Sequence, residues 1–248
     1  MKRNIKLLLL GAVLSFVGCS KQIYTADIDT SYYRINGKYD SDEEVDEIIA
    51  PYKAQLDKQM NEIIAIAPTD LYKSRPNSNM GNWFTDVVHA YADAELGDID
   101  FAAQNYGGLR VPSLSSGPIT VGEIFELMPF ENLLVVLEVD GETLQLFLDR
   151  IAEKGGWPIS HGLKFTIDNE KATNIVVRGE EFNPDRTYRI AIPDYIANGG
   201  DNCYFFKDLP RETDMLIRDI VIDYLRENVG PNNKISIDDT PRIATLKR

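Results

Sequence analysis

Cysteine and histidine are nearly missing from this 248-residue chain, with two of each. Two cysteines exclude a disulfide-stapled scaffold, and two histidines exclude a His-rich metal site. Basic residues number 26 against 39 acidic ones, a formal charge of −13, and they form no run. Binding a phosphate backbone takes a clustered cationic surface, so the sequence argues against nucleic acid as a partner. The apolar run from Leu7 to Val17 would rise only about 16 Å as a helix, half of the roughly 30 Å hydrocarbon core of a bilayer. Neither a P-loop nor a Gly-x-Ser-x-Gly elbow occurs. What is present, 44% hydrophobic residues with 17 Gly and 12 Pro, suits a folded body of one or two domains with a sizeable core.

The N-terminus reads as an address. Lys2, Arg3 and Lys6 precede the apolar run, and Gly18-Cys19-Ser20 follows it, the order of a cleavable signal peptide. A Cys directly after a small residue resembles a bacterial lipobox, with Phe16 where Leu is usual. Residues 1–18 are then a lipoprotein signal peptide, Cys19 the lipidation site, and 19–41 a tether outside the cytoplasm. The bland alternative is an ordinary secretion signal with an incidental Cys.

Beyond the tether the pattern predicts an α+β fold: a single domain with a mixed or antiparallel sheet and flanking helices, preceded by a linker helix. Ser41 and Glu44 form a capping box, and Val45, Ile48, Ile49, Tyr52, Leu56, Ile63 and Ile64 recur at helical spacing. The linker helix is therefore expected over 42–66, kinked or restarted at Pro51, and the domain over 67–248. A second helix is expected from Met80 to Leu96, with His89 as a packed or surface histidine. Strands are expected at Asp98–Gln104, Leu133–Val139, Gly162–Ile167, Asn174–Arg178 and Tyr188–Pro193. Helices are expected at Val121–Met128, Glu142–Glu153 and Glu212–Asn228, the last stopped by Gly230-Pro231.

Three loops carry chemistry. Gln104-Asn105-Tyr106-Gly107-Gly108-Leu109-Arg110 follows a strand. Its glycines allow close backbone approach, and Arg110 can fork onto oxygens. Met128-Pro129-Phe130-Glu131-Asn132 pins an aromatic at a helix-to-strand junction. The third loop, Pro193 to Asp201, offers Tyr195 and then Asp201 behind a Gly-Gly pair. Two loop aromatics can sandwich a planar ring, and a carboxylate can accept from a sugar diol.

In this order, Asn-x-Gly-Gly-Leu-Arg, Met-Pro-Phe-x-Asn and Asn-Gly-Gly-Asp resemble the C-terminal domain of bacterial and animal 5′-nucleotidases. Met80-Gly81-Asn82, Ile119 to Glu123 and Arg242-Ile243 agree, and the resemblance spans about residues 45–244. It implies that the domain holds the nucleoside part of a nucleotide. Phe130 and Tyr195 would stack on the base, Asn105 and Arg110 would contact base and ribose, and Asp201 would bind the ribose hydroxyls. Tyr195 replaces a more usual Phe, and Asn79 stands where some members carry Arg; His161 receives no role. Complete members also hold a metallophosphoesterase domain with two metal ions, which needs several His and Asp ligands. No Asp-x-His and no Gly-Asn-His-Asp/Glu occurs here, so neither a catalytic residue nor a cofactor is expected in this chain. The expectation is the recognition half of a split 5′-nucleotidase, acting with a separate metallophosphoesterase polypeptide in nucleotide salvage. The alternative is a stand-alone lipoprotein that binds nucleosides or nucleotide-sugars.

Overall fold

The computed structural model describes residues 30–33 and 42–246. The expected signal segment, the expected lipidation site Cys19 and most of the expected tether lie outside the described residues. The chain divides into two units, Met1–Ile48 and Ile49–Arg248. Of the first, the described residues are the exposed 30–33 and the opening of helix α1 (Glu43–Met60). Asp42 Oδ1 accepts from the amides of Glu44 and Val45 at 3.0 and 3.3 Å and so caps that helix. The helix passes through Pro51 and buries none of its residues.

The second unit continues in chain order with β1 (Ile63–Ala67), β2 (Leu71–Tyr72), α2 (Asn79–Leu96), β3 (Phe101–Ala102), β4 (Ser113–Leu114), β5 (Gly117–Thr120), α3 (Val121–Leu127), β6 (Leu133–Val139), α4 (Gly141–Glu153), β7 (Leu163–Asp168) and β8 (Lys171–Val177). Then come β9 (Glu180–Glu181), β10 (Tyr188–Pro193), α5 (Asp194–Ala197), β11 (Arg211–Leu216), α6 (Ile217–Asn228) and β12 (Ile243–Thr245). This is the expected α+β mixture, with the strands of the described residues divided among four sheets.

Two expected helix bounds are corrected. The helix expected over 42–66 ends at Met60, because Ile63–Ala67 pairs antiparallel with β5 and puts Ile64, Ala65 and Ala67 in the core. The last helix begins at Ile217 rather than Glu212. Residues 211–216 instead complete the edge of the sheet beside β6, where their backbone groups find partners.

Local chemistry explains the other helix starts. Ser78 Oγ accepts from Gly81 N at 2.7 Å to open α2. Thr120 and Glu123 form a reciprocal capping box at α3, and Asp140 Oδ1 accepts from Thr143 N at 2.7 Å at α4. Each such cap satisfies an otherwise orphaned helix donor.

The central sheet, ordered β11-β6-β10-β3, has a core on each face. Leu134 and Val136 of β6 join one apolar cluster with Met80, Phe84 and Ile220. Val135, Leu137 and Val139 join the other with Phe147, Trp157 and Phe206. Period-2 alternation with both faces buried requires an almost continuous apolar strand, and Leu-Leu-Val-Val-Leu-Glu-Val is that strand. The same alternation splits Phe101 from Ala102 in β3, and Ile190 and Ile192 from Ala191 in β10.

Strand direction then sets where the loops meet. β3 and β10 are parallel, with Ile190 opposite Phe101, and β6 runs antiparallel to β10, with Pro193 opposite Leu134. The C-terminal ends of β3 and β10 and the N-terminal end of β6 therefore share one sheet edge. The segments after β3, before β6 and after β10 are the three loops singled out above.

Candidate functional site

At that edge lies a cavity of about 540 Å³ lined by Asn105, Arg110, Phe130, Tyr195 and Asp201, all five residues expected from sequence, together with Arg75, Tyr106, Asn132, Lys154 and Trp157. Backbone constraints shape it. A Cβ on Gly108 would overlap Gln104 Nε2, and one on Gly200 would sit 2.5 Å from the Tyr195 ring. Gly200 needs glycine, because the Tyr195 carbonyl is equally close, whereas a side chain at Gly108 would displace the Gln104 amide. Asp201 itself adopts a left-handed φ of 49°, a conformation that Asp tolerates better than most residues.

A hydrogen-bond relay fixes the polar side. Gln104, only 2% exposed, donates from Nε2 to Asn105 Oδ1 at 2.9 Å. That contact can only be to the amide oxygen, so it sets which way Asn105 points. Asn105 Nδ2 then donates to Asp201 Oδ2 at 3.0 Å, joining the first loop to the third. Asp194 Oδ1 ties the second loop to the third: it accepts from Asn132 Nδ2 and from Tyr195 N, both at 2.8 Å. The Tyr195 hydroxyl accepts from Asp201 N at 3.4 Å. A carboxylate accepts several hydrogen bonds, so Asp201 retains capacity for an added hydroxyl pair.

The aromatics stay accessible. Phe130 and Tyr195 are 42% and 47% exposed, unusual for rings that would bury well. Cations gather beside them in an otherwise acidic protein. The Arg110 guanidinium carbon is 5.3 Å from the Phe130 ring centroid. Arg75 and Lys73 stand 3.8 and 4.2 Å from that of Tyr106. Lys73 Nζ also donates to Leu109 O at 2.6 Å. Burial, then the charges of Arg110 and Arg75, hold the Lys73 ammonium below the ordinary lysine range. Such a cluster attracts an anion.

Sequence reasoning placed Gln104 in the first loop but gave it no role of its own, and it missed Arg75, Lys154 and Trp157. Arg75 lies in the β2–α2 connection, and Lys154 and Trp157 follow α4. None carries a local motif, and only the tertiary fold brings them to the edge. Asn79, where some family members carry Arg, is committed to its own turn: its Oδ1 accepts from Tyr72 N and Met80 N at 2.7 and 2.8 Å. Among the described residues no group of three or more His, Cys, Asp or Glu could hold a metal ion, so this donor set does not fit a di-metal centre.

The sequence matches the family described as 5′-nucleotidase, C-terminal domain, over residues 59–208. It is 29% identical over 164 residues to a 5′-nucleotidase of Vibrio vulnificus, covering 62% of this chain and 29% of that protein. It is 27% identical over 183 residues to Protein UshA of Salmonella pullorum, covering 71% and 32%. The solved 5′-nucleotidase precursor of Thermus thermophilus shares the fold with a TM-score of 0.71 and 28% identity, over 83% of this chain and 44% of that one. The chain thus spans less than half the length of each of these relatives. The match covers more than half of this chain and contains all three loops that meet at the sheet edge, and on that ground the chain belongs to the 5′-nucleotidase C-terminal domain family.

Proposed function

We propose that this chain is the nucleotide-recognition half of a split 5′-nucleotidase. The cavity holds the nucleoside, with the base between Phe130 and Tyr195, the ribose hydroxyls on Asp201, and polar contacts from Asn105 and Arg110. A separate polypeptide supplies the two metal ions and the attacking hydroxide. Both act outside the cytoplasm in nucleotide salvage, this chain tethered to a membrane through an acylated Cys19. The observation that carries the recognition reading is the convergence of all five residues on one cavity from three separate loops. The two-histidine composition supports a catalytic centre on another chain, and the lipobox-like Gly18-Cys19-Ser20 supports the tether.

The test is a calorimetric titration of adenosine and AMP without metal. Two stacking faces and a diol contact give a Kd of about 1–200 μM. Tyr195→Ala removes about 1–3 kcal/mol of that binding. Absence of binding to both ligands overturns the recognition reading. Mixing with secreted metallophosphoesterase polypeptides then tests the split. Stimulated AMP hydrolysis supports it, whereas tight binding with no stimulation favours the stand-alone binding lipoprotein.

A further inference from the structure

The chain's two histidines, 72 positions apart in sequence, meet at a place remote in sequence from the three loops. His89 on α2 and His161, just before β7, have ring centroids 4.9 Å apart with planes tilted by 36°. Both line a cavity of about 300 Å³ together with Asp93 and Arg178.

Their hydrogen bonds fix both tautomers. His89 Nε2 lies 2.9 Å from the Ile99 carbonyl oxygen. A carbonyl only accepts, so Nε2 carries the hydrogen and Nδ1 the lone pair. That Nδ1 is buried and has no hydrogen-bond partner, on a residue only 7% exposed. His161 Nδ1 lies 3.1 Å from Asp86 Oδ1, so the same reasoning puts a hydrogen on Nδ1, and the neutral ring carries its lone pair on Nε2. Asp86 also accepts from the His161 amide at 2.9 Å and is paired with Arg242, which holds it in place.

A carbonyl or carboxylate behind each imidazole, with the other nitrogen left bare, is the usual outer arrangement of metal-bound histidines. The spacing agrees. A metal on an imidazole nitrogen lies about 3.2 Å from the ring centroid, so two imidazoles on one tetrahedral ion have centroids about 5 Å apart. We propose that His89 Nδ1 and His161 Nε2 bind one borderline transition-metal ion of the Zn²⁺ class, its remaining positions filled by water. Two protein donors make an exchangeable clamp between α2 and the start of β7. Such a site prefers imidazole-loving ions to Mg²⁺ or Ca²⁺, which take oxygen ligands.

The test is a Zn²⁺ titration of the full-length protein followed by ¹H–¹⁵N correlation of the imidazoles and by thermal melting. At one equivalent, the ¹⁵N resonances of His89 Nδ1 and His161 Nε2 shift. Zn²⁺ at a hundredfold excess over Kd raises Tm by about 5–10 °C, and Mg²⁺ does neither. His161→Gln, at an exposed position that leaves the fold intact, weakens Zn²⁺ binding more than about tenfold and abolishes the His89 shift. Unchanged imidazole resonances in the presence of Zn²⁺ overturn the proposal, even where acidic surface groups take up the ion. An undiminished response in His161→Gln overturns it as well. Neither readout depends on nucleotide binding.

Discussion

Arg110 and Arg242 are two arginines with opposite fates. Arg242 has 1% of its side chain exposed. It bonds Asp86 Oδ1 at 2.9 Å, the Ile159 carbonyl at 2.7 Å and Asp238 Oδ2 at 3.3 Å, locking the closing segment onto α2. Arg110 is exposed; its contacts are the Gly107 carbonyl at 3.2 Å and the face of Phe130. A guanidinium offers five donors in a rigid fork. Where the fold uses most of them, the residue holds structure; where it leaves them free beside a cavity, they are available to a ligand. Charge and residue type are identical, and only the surroundings separate the roles.

The largest expected effect breaks the structural side of this pair. Arg242→Ala leaves Asp86 without its buried partner and costs about 3–5 kcal/mol of stability. The urea midpoint should fall with an unchanged slope, while adenosine affinity of the folded protein stays within about twofold. The reciprocal variant, Arg110→Ala, should move stability by less than about 0.5 kcal/mol. It should weaken adenosine and AMP binding alike, by about 1.5–3 kcal/mol. A melting loss in Arg110→Ala comparable to that of Arg242→Ala would erase the distinction.

Gln104→Ala sharpens the comparison, since Gln104 acts on the cavity through another residue. Freed to rotate, Asn105 no longer presents a fixed amide to Asp201, and adenosine affinity should drop by about 1–2 kcal/mol. The smallest effect concerns pH. An anion stabilises the Lys73 ammonium, whose pKa is lowered in the free protein, so at pH values near that pKa AMP binding takes up a fraction of a proton. AMP affinity relative to adenosine should therefore fall about threefold as pH rises through that lowered pKa. Calorimetry in two buffers of different ionisation heat measures the proton directly.

Legibility followed the range of the forces involved. Leu133–Val139 and Tyr188–Pro193 were readable to the residue, because a β-branched apolar run buried on both faces admits few other readings. Ile63 and Ile64 misled because they extend the apolar spacing of α1, and only pairing with β5 assigns them to a strand. Residues 211–216 carry Arg, Glu and Asp, which look like a helix entry, whereas the free edge of β6 recruits them as a strand. The convergence of the five cavity-lining residues was legible because glycines and prolines punctuate their loops at family-like spacing. Arg75, Lys154 and Trp157 sit in segments without such marks. The pairing of His89 with His161 was invisible for the same reason.

Strand β6 serves as a wall one residue thick between two apolar cores. Losing the packing on either side strips support from the other, since the same seven-residue backbone carries both sets of side chains. The body that holds the cavity should therefore melt in a single cooperative transition, with calorimetric and van't Hoff enthalpies in agreement. The loops at the sheet edge then stand on a platform that is either wholly present or wholly lost.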